Sequence, residues 1–476
     1  MSYYFMFVIL FFVGAYFEDA YKKKELPHFF KASAILALAA VVGVCINISN
    51  LYHTYEYSKE TMRGKSELKQ EGAAASQTSS GLDRDYITNW SYGIGETLTL
   101  LVPNVKGGGS GSTMSQSEVA MAKANPMYSG IYSQFPRQYF GEQPWTAGPV
   151  YVGAFVMFLF VLGCFIVKGP LKWALLGATI FSILLSWGKN FMGLTDFFID
   201  YVPMYNKFRA VSSILVIAEF TIPLLAIFAL KEILNKPDTL KLKENRGGVI
   251  ATLVLTAGVA LILAVAPGVS SSSFVTAQEI ATLEQVLPAE SRAQHLAPIV
   301  ANLTEMRKAI VASDAWRSFF IIVIGCLFLF LYQQRKLKAS FTLAGIALLC
   351  LIDMWSINKR YLNDEQFVPK SKQTEAFVKT QADEMILQDT TLNYRVLNFI
   401  GFPGNTFNEN NTAYWHKSVG GYHAAKLRRY QEMIDHHIMP EMQETYQAVA
   451  TAGGQMDSVD ASKFRVLNML NTKYFI

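Results

Sequence analysis

Charged side chains at helical spacing follow the second apolar segment of the chain. His53, Glu56, Glu60 and Arg63 recur every three or four residues. If a helix continues past the apolar segment, these side chains share one of its faces. Carboxylates beside histidine and arginine can move protons or bind a polar substrate, so Glu56 and Arg63 are candidate binding residues. The alternative is a solvated helix extension with internal ion pairs.

A second group of charges lies in residues 188–210, which are too polar to span a membrane and rich in aromatics. We expect this stretch to lie in the membrane interface. Five of its side chains are expected to face lipid: Phe191, Leu194, Phe197, Phe198 and Tyr201. Its charged side chains then lie at headgroup level as candidate binding residues: Lys189, Asp196, Asp200, Lys207 and Arg209. The cations suit a lipid phosphate, and the alternative is simple anchoring by aromatics and snorkelling cations.

The other motifs that could carry chemistry are weak signals of a functional site. Gly107-Gly-Gly-Ser-Gly lacks the flanking strand and the lysine of a phosphate-binding loop. Residues 106–130 and 64–81, rich in small and polar residues, are therefore predicted to be mobile. The histidines are scattered through the sequence, which favours packing or surface positions over a metal site.

The elements that carry these residues are apolar. Of the 476 residues, 51% are hydrophobic and 17% charged, whereas soluble proteins carry about 25% charged residues. About 20 apolar residues in a helix cross a bilayer. Eight segments approach that length: residues 2–17, 32–51, 150–167, 173–187, 211–230, 249–266, 318–332 and 340–355. They predict an α-helical polytopic membrane protein with about eight transmembrane helices.

Lysine and arginine in the short connections predict the orientation. Every second connection is short and basic: residues 18–31, 168–172, 231–248 and 333–339. We expect these in the cytoplasm and the intervening segments outside, in a bacterial inner (cytoplasmic) membrane. The net charge of +5 arises beside apolar segments. It does not come from basic residues interleaved with aromatics on a soluble face, which argues against a nucleic-acid partner.

The predicted domains follow from this topology. They are helices 1–2 (1–51), an outer loop (52–149), helices 3–6 with the interfacial segment (150–266), an outer segment of one or two surface helices (267–317), helices 7–8 (318–355) and a small mixed α/β outer domain (356–476). In the last, Tyr394-Arg-Val-Leu-Asn and Phe464-Arg-Val-Leu-Asn alternate as strands do, and they are predicted to pair in one sheet. The abrupt apolar start and apolar end predict a fragment of a longer protein that lacks its N-terminal part.

Six stretches together carry a resemblance to a known family. They are Thr54-Tyr-Glu-Tyr-Ser-Lys-Glu-Thr-Met-Arg-Gly, Gly81-Leu-Asp-Arg-Asp-Tyr-Ile, Trp90-Ser-Tyr-Gly, Leu101-Val-Pro-Asn followed by glycines, Pro203-Met-Tyr-Asn-Lys-Phe-Arg and Gly420-Gly-Tyr-His-Ala-Ala-Lys-Leu-Arg-Arg-Tyr-Gln. As a set, they resemble the YfhO family of bacterial membrane proteins over nearly the whole chain. That family is similar to GT-C glycosyltransferases, which transfer a sugar from a polyprenyl-phosphate carrier on the outer face of the membrane.

The resemblance implies three partners: membrane lipid, a polyprenyl-phosphate-linked sugar and an envelope glycan or lipid acceptor. In GT-C enzymes an acidic residue on the first outer loop is the base or a metal ligand. That loop would precede Ser2, so the chain by itself is expected to be inactive. Asp83 and Asp85 are then the candidate catalytic carboxylates. The cofactor stays open, with a divalent metal as the candidate.

The donor phosphate is expected against Lys207 and Arg209, just before the fifth helix, with Met204, Tyr205 and Phe208 on the first isoprene units. Two other functions remain open. A transporter or flippase of lipid-linked sugars predicts deep charges and broken helices, which only Glu219 and Pro223 suggest. The other is a non-catalytic envelope assembly subunit.

Overall fold

The computed structural model describes residues 2–64, 66–68, 81–402, 404–453, 459–460, 462 and 464–476. Helices dominate the described chain. The α-helices are α1 (Ser2–Lys23), α2 (Leu26–Ile46), α3 (Ile48–Glu60), α4 (Arg84–Thr88), α5 (Glu118–Met121), α6 (Ser129–Gln134), α7 (Ala154–Ile166), α8 (Pro170–Ser186), α9 (Met192–Tyr201), α10 (Val216–Asn235), α11 (Arg246–Leu253), α12 (Val259–Val265), α13 (Ala277–Val286), α14 (Ala289–Gln333), α15 (Ala339–Tyr361), α16 (Gln381–Leu387), α17 (Asn411–Trp415), α18 (Arg428–Met433), α19 (Met439–Thr451) and α20 (Arg465–Met469). Two short strands are β1 (Arg395–Leu397) and β2 (Thr472–Phe475).

Within the described residues, six helices are long and apolar enough to cross a membrane, which makes the chain a helical membrane protein. They are Tyr3–Lys23, Leu26–Ile46, Val211–Asn235, Lys243–Val265, Ala289–Gln333 and Ala339–Gln366. A bent pair, Pro170–Ser186 with Gly188–Tyr201, makes a seventh if it is counted as one span. The predicted count of eight is not reached because α7 has only 13 residues, fewer than the roughly 20 that a bilayer requires.

The chain divides into two compact units. The first unit comprises residues 1–39 and 85–363, and the second comprises residues 40–84 and 364–476. Residues 52–149, predicted as one outer loop, are therefore shared between the units. Helix α2 runs from the first unit into the second.

The core of the first unit lies where α7 packs against α10. Gly163 permits this close approach, because a Cβ there would lie 3.1 Å from the Leu225 side chain. Fully buried Phe155 and Ile222 belong to the same core. The closely packed apolar side chains explain why this part of the chain forms one unit.

Helix α14 has 45 residues and begins at Ala289, well before the predicted membrane segment at 318. Because α14 is continuous, the backbone has no break at the predicted boundary between the outer segment and the membrane helix. Ion pairs with one buried partner each join α14 to its neighbours: Arg307 with Glu279, Asp314 with Arg360, and Arg317 with Asp353.

The prediction that residues 106–130 are mobile is wrong. Gly107 adopts φ +83°, and a Cβ there would lie 1.9 Å from the Gln138 carbonyl oxygen. Met114 and Tyr132 are fully buried against α14. Gly107 thus serves a tight turn that a side chain would block. In the other stretch predicted to be mobile, 64–81, residues 65 and 69–80 lie outside the described residues.

In the described part of the second unit, β1 and β2 pair in parallel. The second Arg-Val-Leu-Asn does not form a strand as predicted, because residues 465–469 are helix α20. Glu441 explains the difference: its carboxylate accepts hydrogen bonds from the backbone N–H groups of Val466 (2.8 Å) and Leu467 (3.0 Å). A carboxylate at these unpaired N–H groups stabilises a helix start. The partner of β1 is instead the following segment, Thr472–Phe475.

Candidate functional site

The candidate site lies in the first unit, where the chain leaves α8 and bends by 108° into residues 188–201. Gly188 makes the bend possible with φ +47°, since a Cβ there would lie 2.1 Å from Ser91 Oγ. Phe197 and Tyr201 on α9 are exposed as predicted. Phe198 is not, because it is buried against Phe7, Phe181 and Tyr205.

The loop after α9 carries the two predicted phosphate-binding cations. Met204 (φ 66°) and Ala210 (φ 61°) bracket it in the left-handed conformation, which costs a residue with a side chain about 1–2 kcal/mol. Between them lie half-buried Lys207 and exposed Arg209. A 3₁₀ turn begins at Val211 and leads into α10, so both cations directly precede the fifth predicted span.

Arg209 is held against aromatic rings of the 86–90 segment. Its Nη1 donates to the Tyr86 hydroxyl at 2.7 Å. Its guanidinium carbon lies 5.6 Å from the centre of the Tyr86 ring and 5.4 Å from that of Trp90. These are cation–π distances, so the orientation of Arg209 is fixed while its side chain stays at the surface.

Residues 86–92 are tied to the bend and to Trp145, and the bend is tied in turn to Glu142. The Lys189 backbone N–H donates to Ser91 Oγ (2.8 Å), and Asn190 Nδ2 donates to the Glu142 carboxylate (2.8 Å). Trp90 Nε1 donates to the Trp145 carbonyl oxygen (3.1 Å). Exposed Lys189 and Arg209 therefore belong to one surface, organised by residues 86–92.

Of the side chains predicted to hold the isoprene units, one is inaccessible. Tyr205 is only 3% exposed and packs on Phe198. Met204 and Phe208 are exposed, and Phe208 stacks on Tyr3 with ring centres 5.2 Å apart. The accessible apolar contacts are thus Met204 and Phe208.

Glu96 is a carboxylate that the sequence reasoning missed. It is 2% exposed and accepts hydrogen bonds from the Tyr139 hydroxyl (2.6 Å) and the Gly93 N–H (2.7 Å). Burial raises the pKa of Glu96, and these hydrogen bonds oppose part of that shift. Burial also lowers the pKa of Lys106, which lines the same small cavity. No motif signals Glu96, because its burial results from contacts distant in sequence.

The remaining predicted residues are divided between the units. Asp85 is exposed in the first unit, directly before Tyr86, whereas Asp83 belongs to the second unit. Half-buried Asp196 lies on α9. The structure therefore associates Asp85, and not Asp83, with the unit that contains Arg209.

Glu56 and Arg63 belong to the second unit. Glu56 pairs with Lys59 at 2.7 Å, an internal ion pair on α3 of the kind expected for a helix extension. Arg63 Nη1 donates to the Ala424 carbonyl oxygen at 3.3 Å. Arg63 thereby joins the end of α3 to the Gly420–Gln431 motif.

Among the described residues, no group of three His, Cys, Asp or Glu side chains could hold a metal ion. No protein-family model, curated protein or solved structure matches this chain.

Proposed function

We propose that the chain is a glycosyltransferase-like protein of the bacterial inner membrane. It would transfer a sugar from a polyprenyl-phosphate donor to a cell-envelope glycan or lipid acceptor on the outer face. The observation that carries the proposal is the loop of residues 204–210. This loop presents Lys207 and Arg209 at the start of an apolar helix.

The phosphate-binding part rests on charge and geometry. Arg209 offers a planar fork of donors that matches phosphate oxygens, and Lys207 adds a point charge. Met204 and Phe208 supply exposed apolar surface beside the cations for the lipid chain. A phosphate attached to a hydrocarbon requires this combination of cations and apolar contacts.

The proposed reaction is a displacement at the anomeric carbon. The acceptor hydroxyl oxygen forms the new bond, and the bond to the carrier phosphate oxygen breaks with both electrons leaving on the phosphate. The cations stabilise the charge that develops there. Asp85, exposed next to Tyr86, is the candidate to receive the hydroxyl proton.

A flippase for lipid-linked sugars is the second candidate. The 108° break after α8 favours it, because transporters place binding sites at interrupted helices. Reconstituted protein separates the two: the enzyme makes glycosylated acceptor, whereas the flippase moves unchanged donor across the bilayer. A non-catalytic assembly subunit would do neither.

Arg209→Ala and Arg209→Lys test the phosphate site. Losing a charge-assisted hydrogen bond costs about 1.5–3 kcal/mol, so we expect Arg209→Ala to weaken binding of undecaprenyl phosphate roughly ten- to a hundredfold. Arg209→Lys should also weaken it, since the bidentate geometry is lost. Binding is measured with radiolabelled lipid and the full chain in nanodiscs.

Arg246→Ala is the matched control, because Arg246 is an exposed arginine on α11. It should bind like the wild type. Unchanged affinity in Arg209→Ala, with correct folding and insertion, would leave Arg209 as an interfacial anchor only.

A further inference from the structure

We infer that Tyr86, Trp90 and Trp145 form a carbohydrate-binding surface on which the sugar of the lipid-linked substrate stacks. We call these three rings the aromatic surface. The inference rests on the proposed function and deepens it, because it assigns residues to the sugar where Arg209 serves the phosphate.

The exposure of the rings is the first observation. Trp145 is 58% exposed and Tyr86 44% exposed, and Trp90 is half-buried. None belongs to a helix that could span a membrane. A pyranose ring presents a face of C–H groups that packs on an aromatic face, while its hydroxyls remain at the rim. Tyrosine and tryptophan suit ligands with one apolar and one polar side.

Two of the three rings, Tyr86 and Trp90, are also held in place before any ligand binds. Trp90 donates its Nε1 hydrogen to the Trp145 carbonyl oxygen, and the Trp90 carbonyl oxygen accepts from the Ser212 N–H at 3.2 Å. Arg209 contacts both Tyr86 and Trp90. Rings that are already fixed lose little conformational freedom on binding, which favours affinity.

Planar polar side chains adjoin the aromatic surface. Glu142 and Gln143 directly precede Pro144-Trp145 in the chain. Asn190 donates to Glu142, and Gln143 Oε1 lies 3.2 Å from Ser212 Oγ. Amides and carboxylates offer the donors and acceptors that sugar hydroxyls need. Together with the rings, they favour a carbohydrate over a purely apolar ligand.

The contact of Arg209 with two of these rings joins the two parts of the site. A sugar linked to a phosphate needs an aromatic face and a cation within the length of one ligand. The surface therefore fits a glycosyl phosphate carried on a lipid.

Trp145→Ala tests the inference with two probes, undecaprenyl phosphate and undecaprenyl phosphate glucose. The full chain is measured in nanodiscs with radiolabelled probes. Loss of stacking should weaken binding of the glycosylated probe about three- to tenfold and leave binding of the bare carrier unchanged. Arg209→Ala should weaken both. Trp145→Phe, which keeps a ring, should restore most of the glycosylated probe's affinity.

Trp173→Ala is the matched control, since Trp173 is 60% exposed and lies beside Lys172. It should change neither affinity. If Trp145→Ala weakens both probes equally or neither, the inference is overturned, and equal weakening identifies Trp145 as a lipid anchor.

Failure of the proposed function is recognisable separately. If the wild type binds neither lipid probe, the phosphate site is wrong, and cellohexaose then decides the aromatic surface. Binding of cellohexaose that Trp145→Ala abolishes supports a carbohydrate site for a substrate other than this lipid. No binding of cellohexaose in that case overturns the inference.

Discussion

At the scale of single residues, the Glu96 carboxylate combines deep burial with partners that favour its charge. Tyr139 and Gly93 donate to it, and yet burial dominates and raises its pKa above the ordinary 4.5. A raised pKa means that the folded state binds the proton more tightly than the unfolded state. The stabilisation from Glu96 is therefore complete below the unfolded pKa and is lost as pH rises through the folded pKa.

This sign gives a prediction for Glu96→Gln. The amide does not titrate, so the variant should gain stability relative to the wild type as pH rises above 4.5. The check is the difference in thermal unfolding temperature between variant and wild type, measured in detergent from pH 4 to pH 8. Glu118→Gln, an exposed carboxylate on α5, is the control. A difference that shrinks with rising pH would contradict the assigned direction.

The sequence predicted individual residues well where neighbours along the chain decide their position. Lys207 and Arg209 lie directly before the 3₁₀ turn at Val211, as expected from the apolar pattern. Phe198 and Tyr205 were misplaced because their burial depends on Phe7 and Phe181, which are distant in sequence. Local hydrophobicity cannot distinguish a ring that faces lipid from one that faces another aromatic ring.

At the scale of elements, the bend between α8 and α9 depends on one glycine. Gly188→Ala would place a methyl group 2.1 Å from Ser91 Oγ and 2.6 Å from the Val211 side chain, at φ +47°. We expect a loss of about 1–3 kcal/mol in the free energy of unfolding. Gly193→Ala in α9 is the matched control, since nothing lies within 4 Å of that position and alanine favours helix.

The two glycine variants are compared by thermal unfolding in the same detergent. Equal stability of both would show that the bend tolerates a side chain and does not fix the position of residues 188–191. A selective loss in Gly188→Ala would connect the bend to the segment that holds Lys189.

Element types were predictable from periodicity only where the periodicity was long. All eight apolar segments contain helix. The two Arg-Val-Leu-Asn copies share an alternating pattern, but one is β1 and the other is α20. Glu441, more than twenty residues away in the chain, accepts from the N–H groups at the start of α20. A five-residue pattern carries too little energy to resist such a contact.

At the scale of the whole molecule, the number of crossings depends on α7 and α8. Their 13 and 17 residues are short for a bilayer core of about 30 Å. The basic connection between them, residues 168–172, nevertheless matches the charge of the other connections predicted to be cytoplasmic. Charge therefore favours two crossings here, while the length of α7 does not support a crossing by that helix.

Single cysteines decide between these two topologies. In a background with alanine at the four natural cysteines, Lys168→Cys and Glu244→Cys should resist an impermeant maleimide in intact cells, and Ser272→Cys should react. All three positions are at least partly exposed in the structure, so a lack of labelling reports the membrane and not burial. If Lys168→Cys reacts and Glu244→Cys does not, the connection between α7 and α8 lies outside. These two helices then do not cross the membrane, and the chain has six crossings. Reversal at Glu244 and Ser272 would instead invert the protein and place the Arg209 site in the cytoplasm, where a transfer on the outer face is impossible.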